Sequence, residues 1–353
     1  ISCFGENKMT GKLILENNKS FDGVSFGKPQ SISGEMVFST GMVGYPESFT
    51  DPSYKGQILI LTYPIIGNYG VPEKKFWESE KIQIAGLVVS NYIDTPSHSQ
   101  SKMSLGDWLK RENIPALEIK DTRFLAKLLR TKGACLGKIV IDKNISWRDP
   151  NQENLVSQVS TEKITKEGKG NRTIILIDLG AKKNIARSLI KRNVQVITTP
   201  WDLDPFEEEL DFDGIVISNG PGDPKMAKET INIVKKALLK RIPTLGICLG
   251  NQILALAGGG DTRKLKFGHR SQNQPCKLIN SEKCYITTQN HGFAVSKIPN
   301  GFKQWFINAN DNTNEGLIHK NLPFMSVQFH PESTPGPYDT EWIFDFFLKK
   351  IKV

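Results

Sequence analysis

The sequence has no CxxC pair, no long apolar run, no internal repeat and no low-complexity tract. Its five cysteines, at 3, 135, 248, 276 and 284, are odd in number and scattered. That pattern argues against a disulfide framework or a structural zinc site, so no metal is expected and a reduced, cytoplasmic setting follows. No apolar stretch approaches the roughly 20 residues needed to span a bilayer, and no signal peptide is read ahead of the first strand. No membrane partner is therefore expected. Positive charge is in excess, with a net +9, yet the basic residues are dispersed, as in "KNIARSLIKRN" and "VKKALLKR". There is no basic cluster interleaved with aromatics and no nucleic-acid motif, so nucleic acid is not expected as a partner either. Histidine is scarce, with five residues at 98, 269, 291, 319 and 330.

What is present is enough apolar material for two cores. At 353 residues and 38% hydrophobic content, the length exceeds what one core usually supports. Residues 161–171, "TEKITKEGKGN", are polar and glycine-punctuated and read as a linker between an amino-terminal domain (1–160) and a carboxyl-terminal one (172–353). The first domain reads as mixed α+β. Short β runs such as "GKLILEN", "GEMVFST", "QILILTYP" and "IAGLVVS" are broken by Gly, Pro and Asp. One helix is predicted over 121–131, capped by Asp121, striped by Phe124, Leu125, Leu128 and Leu129, and ended by Gly133. After the linker, strands and helices alternate: "TIILIDLG", "NIARSLIKRN", "VQVITTP", "DGIVISNGPGDP", "KETINIVKKALLKR", "TLGI". That alternation predicts an α/β fold with a doubly wound, mostly parallel sheet, whose ligands bind at the carboxyl ends of the strands.

Two motifs fall at such ends. "GICLG" sets Cys248 between Gly246 and Gly250, between a strand and a helix, as in a nucleophile elbow. A helix amino end favours negative charge on a thiol placed there. The stretch by itself also fits a core cysteine between incidental glycines. "MSVQFHPE" places His330 after a β run, with Glu332 two residues on. Cys248, His330 and Glu332 together satisfy the logic of nucleophile, base and orienting carboxylate. His291, in "QNHGF", competes as base but lacks an adjacent carboxylate. Backbone donors for an oxyanion are expected at Leu249, after the nucleophile, and in "SNGPGDP", where Gly220 and Gly222 permit close approach.

These elements resemble the class I (triad) glutamine amidotransferases. Across the chain, from about residue 11 onward, the resemblance narrows to the small, glutaminase subunit of carbamoyl phosphate synthetase, carried by "GEMVFSTGMVGYPE", "TDPSYKGQILILTYPIIGNYG", "DTRFLAKLLRTKGACLGKI", "QNHGFAV" and "QFHPESTPGPYDT". It implies hydrolysis of glutamine through a thioester on Cys248. Ammonia then passes to a large subunit, or a fused synthetase region, that makes carbamoyl phosphate for pyrimidine or arginine synthesis. It implies no cofactor in this chain, with ATP, Mg²⁺ and bicarbonate on the large subunit. It places Ser53, Gly220, Gly222, Leu249, Gln252, Asn290, Gly292 and Phe293 around the glutamine, with Gly222 and Leu249 as oxyanion donors. From the local sequence alone "TDPSY" favours a turn in which Ser53 is a cap, and it is the resemblance that sets Ser53 against the glutamine. Two departures stand out: Asn251 where the family commonly has His, and Ser271 where Gly is usual. Relatives in urea synthesis that use free ammonia lose the cysteine, which is present here. The rival readings are the glutaminase of anthranilate, GMP or CTP synthesis, a catalytically silent assembly subunit, and a cysteine peptidase of similar fold.

Overall fold

The computed structural model describes residues 9–351; Cys3 lies outside them. The chain forms two compact units, one of residues up to Thr50 plus Tyr54–Gln152, the other of Glu153–Val353 together with Asp51–Ser53.

The first unit contains β1 (Thr10–Leu15), β2 (Ser20–Ser25), β3 (Ile32–Ser39), β4 (Gln57–Leu61), β5 (Gly86–Val89), β6 (Ala116–Glu118) and β7 (Cys135–Val140), with helices α1 (Tyr45–Phe49), α2 (Leu105–Arg111) and α3 (Thr122–Lys132). The strands close into a barrel in the order β1-β2-β6-β5-β4-β3-β7. Strands β3 to β6 pair parallel in sequence, and antiparallel pairs through β1, β2 and β7 complete the ring. Alternation along β4 supplies two cores at once. Ile58 and Ile60 join the cluster with Leu125 and Leu129 of α3, while Leu59 and Leu61 join Trp77 and Trp108. Helix α3 has the expected cap, Asp121 Oδ1 accepting from Phe124 N at 2.8 Å, and Gly133 follows it. Its stripe is narrower than expected: Leu125 and Leu129 are buried, whereas Phe124 is exposed.

The second unit contains β8 (Thr165–Glu167), β9 (Arg172–Asp178), α4 (Lys183–Ile190), β10 (Val194–Pro200), β11 (Gly214–Ile217), α5 (Lys228–Leu239), β12 (Thr244–Ile247), α6 (Leu249–Ala257), β13 (Asp261–Leu278), β14 (Cys284–Lys297), β15 (Phe302–Asn308), β16 (Asn314–His319), β17 (Phe324–Val327) and α7 (Trp342–Leu348). They form a ten-stranded sheet, β14-β13-β15-β16-β17-β12-β11-β9-β10-β8. Its centre, β10-β9-β11-β12-β17, is parallel. The remaining strands extend it antiparallel on both sides. The winding is double, because alternate residues of β9 serve opposite faces. Ile174 and Leu176 pack with Ile185 and Leu189 of α4 and with Phe344 and Phe347 of α7. Ile175 and Ile177 pack with Ile233 of α5 and with Ile253 and Leu254 of α6.

The segment expected as a linker, 161–171, carries an edge strand. Thr165–Glu167 pairs antiparallel with Val196–Thr198 of β10, and the units divide ahead of it, between Gln152 and Glu153. All three residues of β8 are exposed, so the strand is held by backbone pairing alone and leaves no apolar periodicity to read. Among the described residues, no helix is long and apolar enough to cross a membrane.

Candidate active site

The elbow forms because two backbones must touch where Cys248 turns. Strand β12 ends at Ile247, α6 begins at Leu249, and Cys248 between them has φ 54° and ψ −101°, a conformation unfavourable for a residue with a side chain. Neither neighbouring glycine is there for a positive φ. A Cβ on Gly246 would overlap the Gly250 carbonyl, and one on Gly250 would overlap the Ile217 carbonyl of β11. Cys248 N donates to Val327 O at 2.9 Å and Gly250 N to Ser218 O at 3.0 Å, fixing the turn from both adjacent strands. Gly250→Ala sets a methyl group against backbone that has no alternative position. A loss of about 3 kcal/mol is expected, read as a lowered melting temperature; an unchanged melt would mean that the elbow can relax.

Behind the thiol stands a buried chain of charges. His330 Nδ1 lies 2.6 Å from Glu332 Oε1, and that same oxygen takes Lys182 Nζ at 3.0 Å. All three side chains are almost wholly buried. Burial opposes charge on His330, but Glu332 and the Cys248 sulfur outweigh it and push the imidazole up to about 10, with Lys182 opposing. Burial likewise opposes charge on Glu332, and Lys182 and His330 overcome it, holding the carboxyl at about 2. Among the described residues, His330 Nε2 has no hydrogen-bond partner. Cys248 Sγ lies 3.8 Å from the Asn290 carbonyl oxygen.

Lys182 was not legible as a site residue. It sits just beyond the carboxyl end of β9, where α/β sheets place their functional groups, and that position is the signal that points to it. Its ammonium also reaches the Ser333 carbonyl, while Asn184 reaches the Glu332 carbonyl and Thr334 Oγ1 at 2.8 Å. Together they hold a turn in which Ser333 and Thr334 both have positive φ.

The pH response follows from the two shifts. His330 is raised from 6.5, so its stabilising contribution is complete below 6.5 and is lost as pH rises through about 10. Glu332 is lowered from 4.5, so its contribution is complete above 4.5 and is lost as pH falls through about 2. Both are complete between 4.5 and 6.5. The melting-temperature gap between the parent chain and Glu332→Gln is expected to be widest there and to narrow on either side. A gap independent of pH would uncouple His330 from Glu332.

The other predicted residues fall into two groups. Ser53, with Asp51, lies among the residues of the second unit. Asn219 Nδ2 donates to Ser53 Oγ at 2.9 Å and to Asp51 Oδ1 at 3.3 Å. Asn290 Nδ2 donates to Asp51 Oδ2 at 3.0 Å. Asp51 also accepts from Ser53 N at 2.9 Å, so one buried carboxylate orders the serine, the Asn219 loop and Asn290 together. Gln252 lies in the interior, with Nε2 on the Phe293 carbonyl at 2.8 Å and Gln328 Oε1 at 3.2 Å. Gly220 owes its lack of a Cβ to the Leu179 carbonyl and the Leu249 side chain packed against it, while Gly222 has φ 83° and faces Leu155. Gly292 lies against Arg270. Leu249 heads α6; the next N–H groups are engaged, Gly250 with Ser218 O and Asn251 with Cys248 O.

His291 does not compete with His330. Its Nδ1 meets the Phe293 carbonyl at 2.8 Å and its Nε2 meets Gln289 Oε1 at 3.1 Å; burial and neighbouring positive charge push it well below its usual range. Asn251 is fully buried, accepting from Ser326 Oγ at 2.8 Å and donating to Gln328 Oε1 at 2.9 Å. It ties α6 to the strand that leads to His330. Ser271 is buried at a register shift of β13 and accepts from Gln274 Nε2 at 3.0 Å.

Residues 175–350 match the family model for class-I glutamine amidotransferase, and residues 13–139 match the model for the carbamoyl-phosphate synthase small chain, CPSase domain. The chain thus carries a carbamoyl-phosphate synthase small-chain domain followed by a class-I glutamine amidotransferase domain. Its amidotransferase domain is the second unit, which contains the elbow. The chain is 46% identical over 386 positions to multifunctional protein pyr-3 of Neurospora crassa, covering 96% of this chain and 21% of that protein. It is 49% identical over 354 positions to multifunctional protein CAD of Squalus acanthias, covering 96% and 16%. It is 44% identical over 357 positions to the mitochondrial carbamoyl-phosphate synthase [ammonia] of Homo sapiens, covering 97% and 24%. The chain thus spans a quarter or less of the length of these relatives.

Proposed function

We propose that this chain hydrolyses glutamine and delivers the ammonia to a synthetase region, separate or fused, that makes carbamoyl phosphate from bicarbonate and ATP. The observation that carries the reading is the buried array of Cys248, His330, Glu332 and Lys182 at a strained elbow. A relative named for ammonia shares 44% identity, so overall identity does not choose between ammonia and glutamine. Cys248 supports the glutamine reading, because free ammonia needs no thiol.

The reaction starts as Cys248 Sγ gives up its proton to His330. Sulfur attacks the side-chain amide carbon, and the oxyanion takes N–H bonds from Leu249 and Gly222. His330 gives its proton to the amide nitrogen, the C–N bond breaks, ammonia leaves and a thioester remains. Water then attacks; neutral His330 takes its proton, the C–S bond breaks, and glutamate leaves. Glu332 keeps the imidazole oriented and compensates its charge, and Lys182 in turn holds Glu332. Asn290, Gly292, Phe293, Gln252 and Ser53 line the substrate. None of these steps asks for a cofactor in this chain; ATP, Mg²⁺ and bicarbonate belong to the synthetase. The family places the product in pyrimidine or arginine synthesis.

Glutamate release from glutamine by the purified chain, with and without a synthetase partner, tests the reading. Catalytic silence in both settings would make it an assembly subunit, and turnover of peptides instead would make it a peptidase. Ser53→Ala sharpens the test. It is expected to raise KM more than it lowers kcat, by the equivalent of about 0.5–1.5 kcal/mol for one neutral hydrogen bond. An unchanged KM with a lowered melting temperature would return Ser53 to the role of a cap.

A further inference from the structure

His269, His291 and Glu315 come from β13, β14 and β16 and meet in the interior of the second unit. All three are buried, and their candidate ligand atoms lie within 4.8 Å of one another. Each is supported from behind in the manner of a metal ligand. His269 Nε2 meets Asp311 Oδ2 at 2.9 Å, the carboxylate–imidazole pairing that orients metal-bound histidines. His291 Nδ1 meets the Phe293 carbonyl at 2.8 Å, which makes that nitrogen the donor and leaves Nε2 available as the ligand. Glu315 Oε1 accepts from Asn308 Nδ2 at 3.3 Å.

The lone pair on His291 points at another acceptor. Gln289 Oε1 is 3.1 Å from it. The carboxamide cannot be turned round, because its Nε2 donates to Glu315 Oε2 at 3.0 Å and reversal would set oxygen against a carboxylate. Gln289 Oε1 also lies 3.0 Å from His269 Nδ1, which is 3.3 Å from Glu315 Oε1. These spacings are close to the edge of a tetrahedron whose centre-to-ligand bonds are about 2.1 Å, roughly 3.4 Å. We propose that His269 Nδ1, His291 Nε2, the Glu315 carboxylate and the Gln289 carboxamide oxygen form a closed tetrahedral site for a divalent transition metal of the zinc class.

Charge supports the assignment, since Glu315 and Asp311 balance a dication. With every position filled by protein, the role is structural. The ion pins β14 beside Asn290 and Phe293. The expectation of no metal was founded on cysteine spacing, and these four ligands approach one another only after three strands have paired.

The chain, stripped with a chelator and titrated with Zn²⁺ against a chromophoric competitor, is expected to bind one equivalent. Co²⁺ in its place is expected to give the strong visible absorption of a tetrahedral site. Glu315→Gln is expected to abolish that absorption. Asp311→Asn, at a half-exposed side chain that supports His269 without binding the ion, is expected to weaken binding about 10–100-fold while leaving the fold intact. Absence of a one-equivalent site in the parent chain would overturn the proposal, as would affinity unchanged by Asp311→Asn.

Discussion

Cys248→Ser is expected to lower glutamine hydrolysis by a factor on the order of 10⁴ or more while leaving ammonia-dependent carbamoyl phosphate synthesis intact in a complex with the synthetase. The substitution keeps the elbow's volume and its φ of 54°, so the loss measures the nucleophile alone. A serine hydroxyl is a far weaker nucleophile than a thiolate. Glutamate release by stopped assay, set against carbamoyl phosphate formed from ammonium, is the measurement. Substantial hydrolysis by the serine variant would remove Cys248 from the mechanism.

His330→Asn is expected to be nearly as damaging, because members of such an array act as a unit and their losses do not add. The double variant with Cys248→Ser should be little worse than either single one. Glu332→Gln is expected to retain more activity, since in the proposed mechanism the carboxylate orients and supports the base without touching substrate. Its cost appears elsewhere. Removing the carboxylate leaves Lys182 charged in the interior with its Glu332 partner gone, and breaking a buried pair in this way costs about 3–5 kcal/mol. Lys182→Met in the Glu332→Gln background should recover much of that stability without recovering activity. If His291→Asn proved worse for kcat than His330→Asn, the base would be misassigned.

The parts of this molecule that were legible are those whose physics is local. Strands β9, β11 and β12 lie between two helical layers, so they read as unbroken apolar runs, and the alternation with helices α4, α5 and α6 dictates a parallel sheet. The elbow was legible because two glycines at fixed spacing answer one steric demand. Closure of the first unit into a barrel was not, since the β1–β7 and β2–β6 pairs join residues about a hundred positions apart. The edge strand β8 escaped for a different reason: nothing along it is buried. Lys182 escaped because a lysine after a strand is ordinarily solvated, and the buried turn that carries Glu332 and Ser333 comes from a distant part of the chain. His269, His291 and Glu315 are three unrelated residues until the β13–β14 hairpin and β16 are in place.

Asp51–Ser53 also bears on how this polypeptide can be divided. By connectivity the triplet belongs to the early part of the chain, yet it packs as part of the later unit. A gene cut between residues 152 and 153 therefore does not yield two self-sufficient modules. The later fragment would keep Asn219 and Asn290 and lose the carboxylate and hydroxyl that receive their amides, at about 1–3 kcal/mol for each buried donor left unmatched. Moving this amidotransferase domain into another chain must carry a short graft from upstream with it.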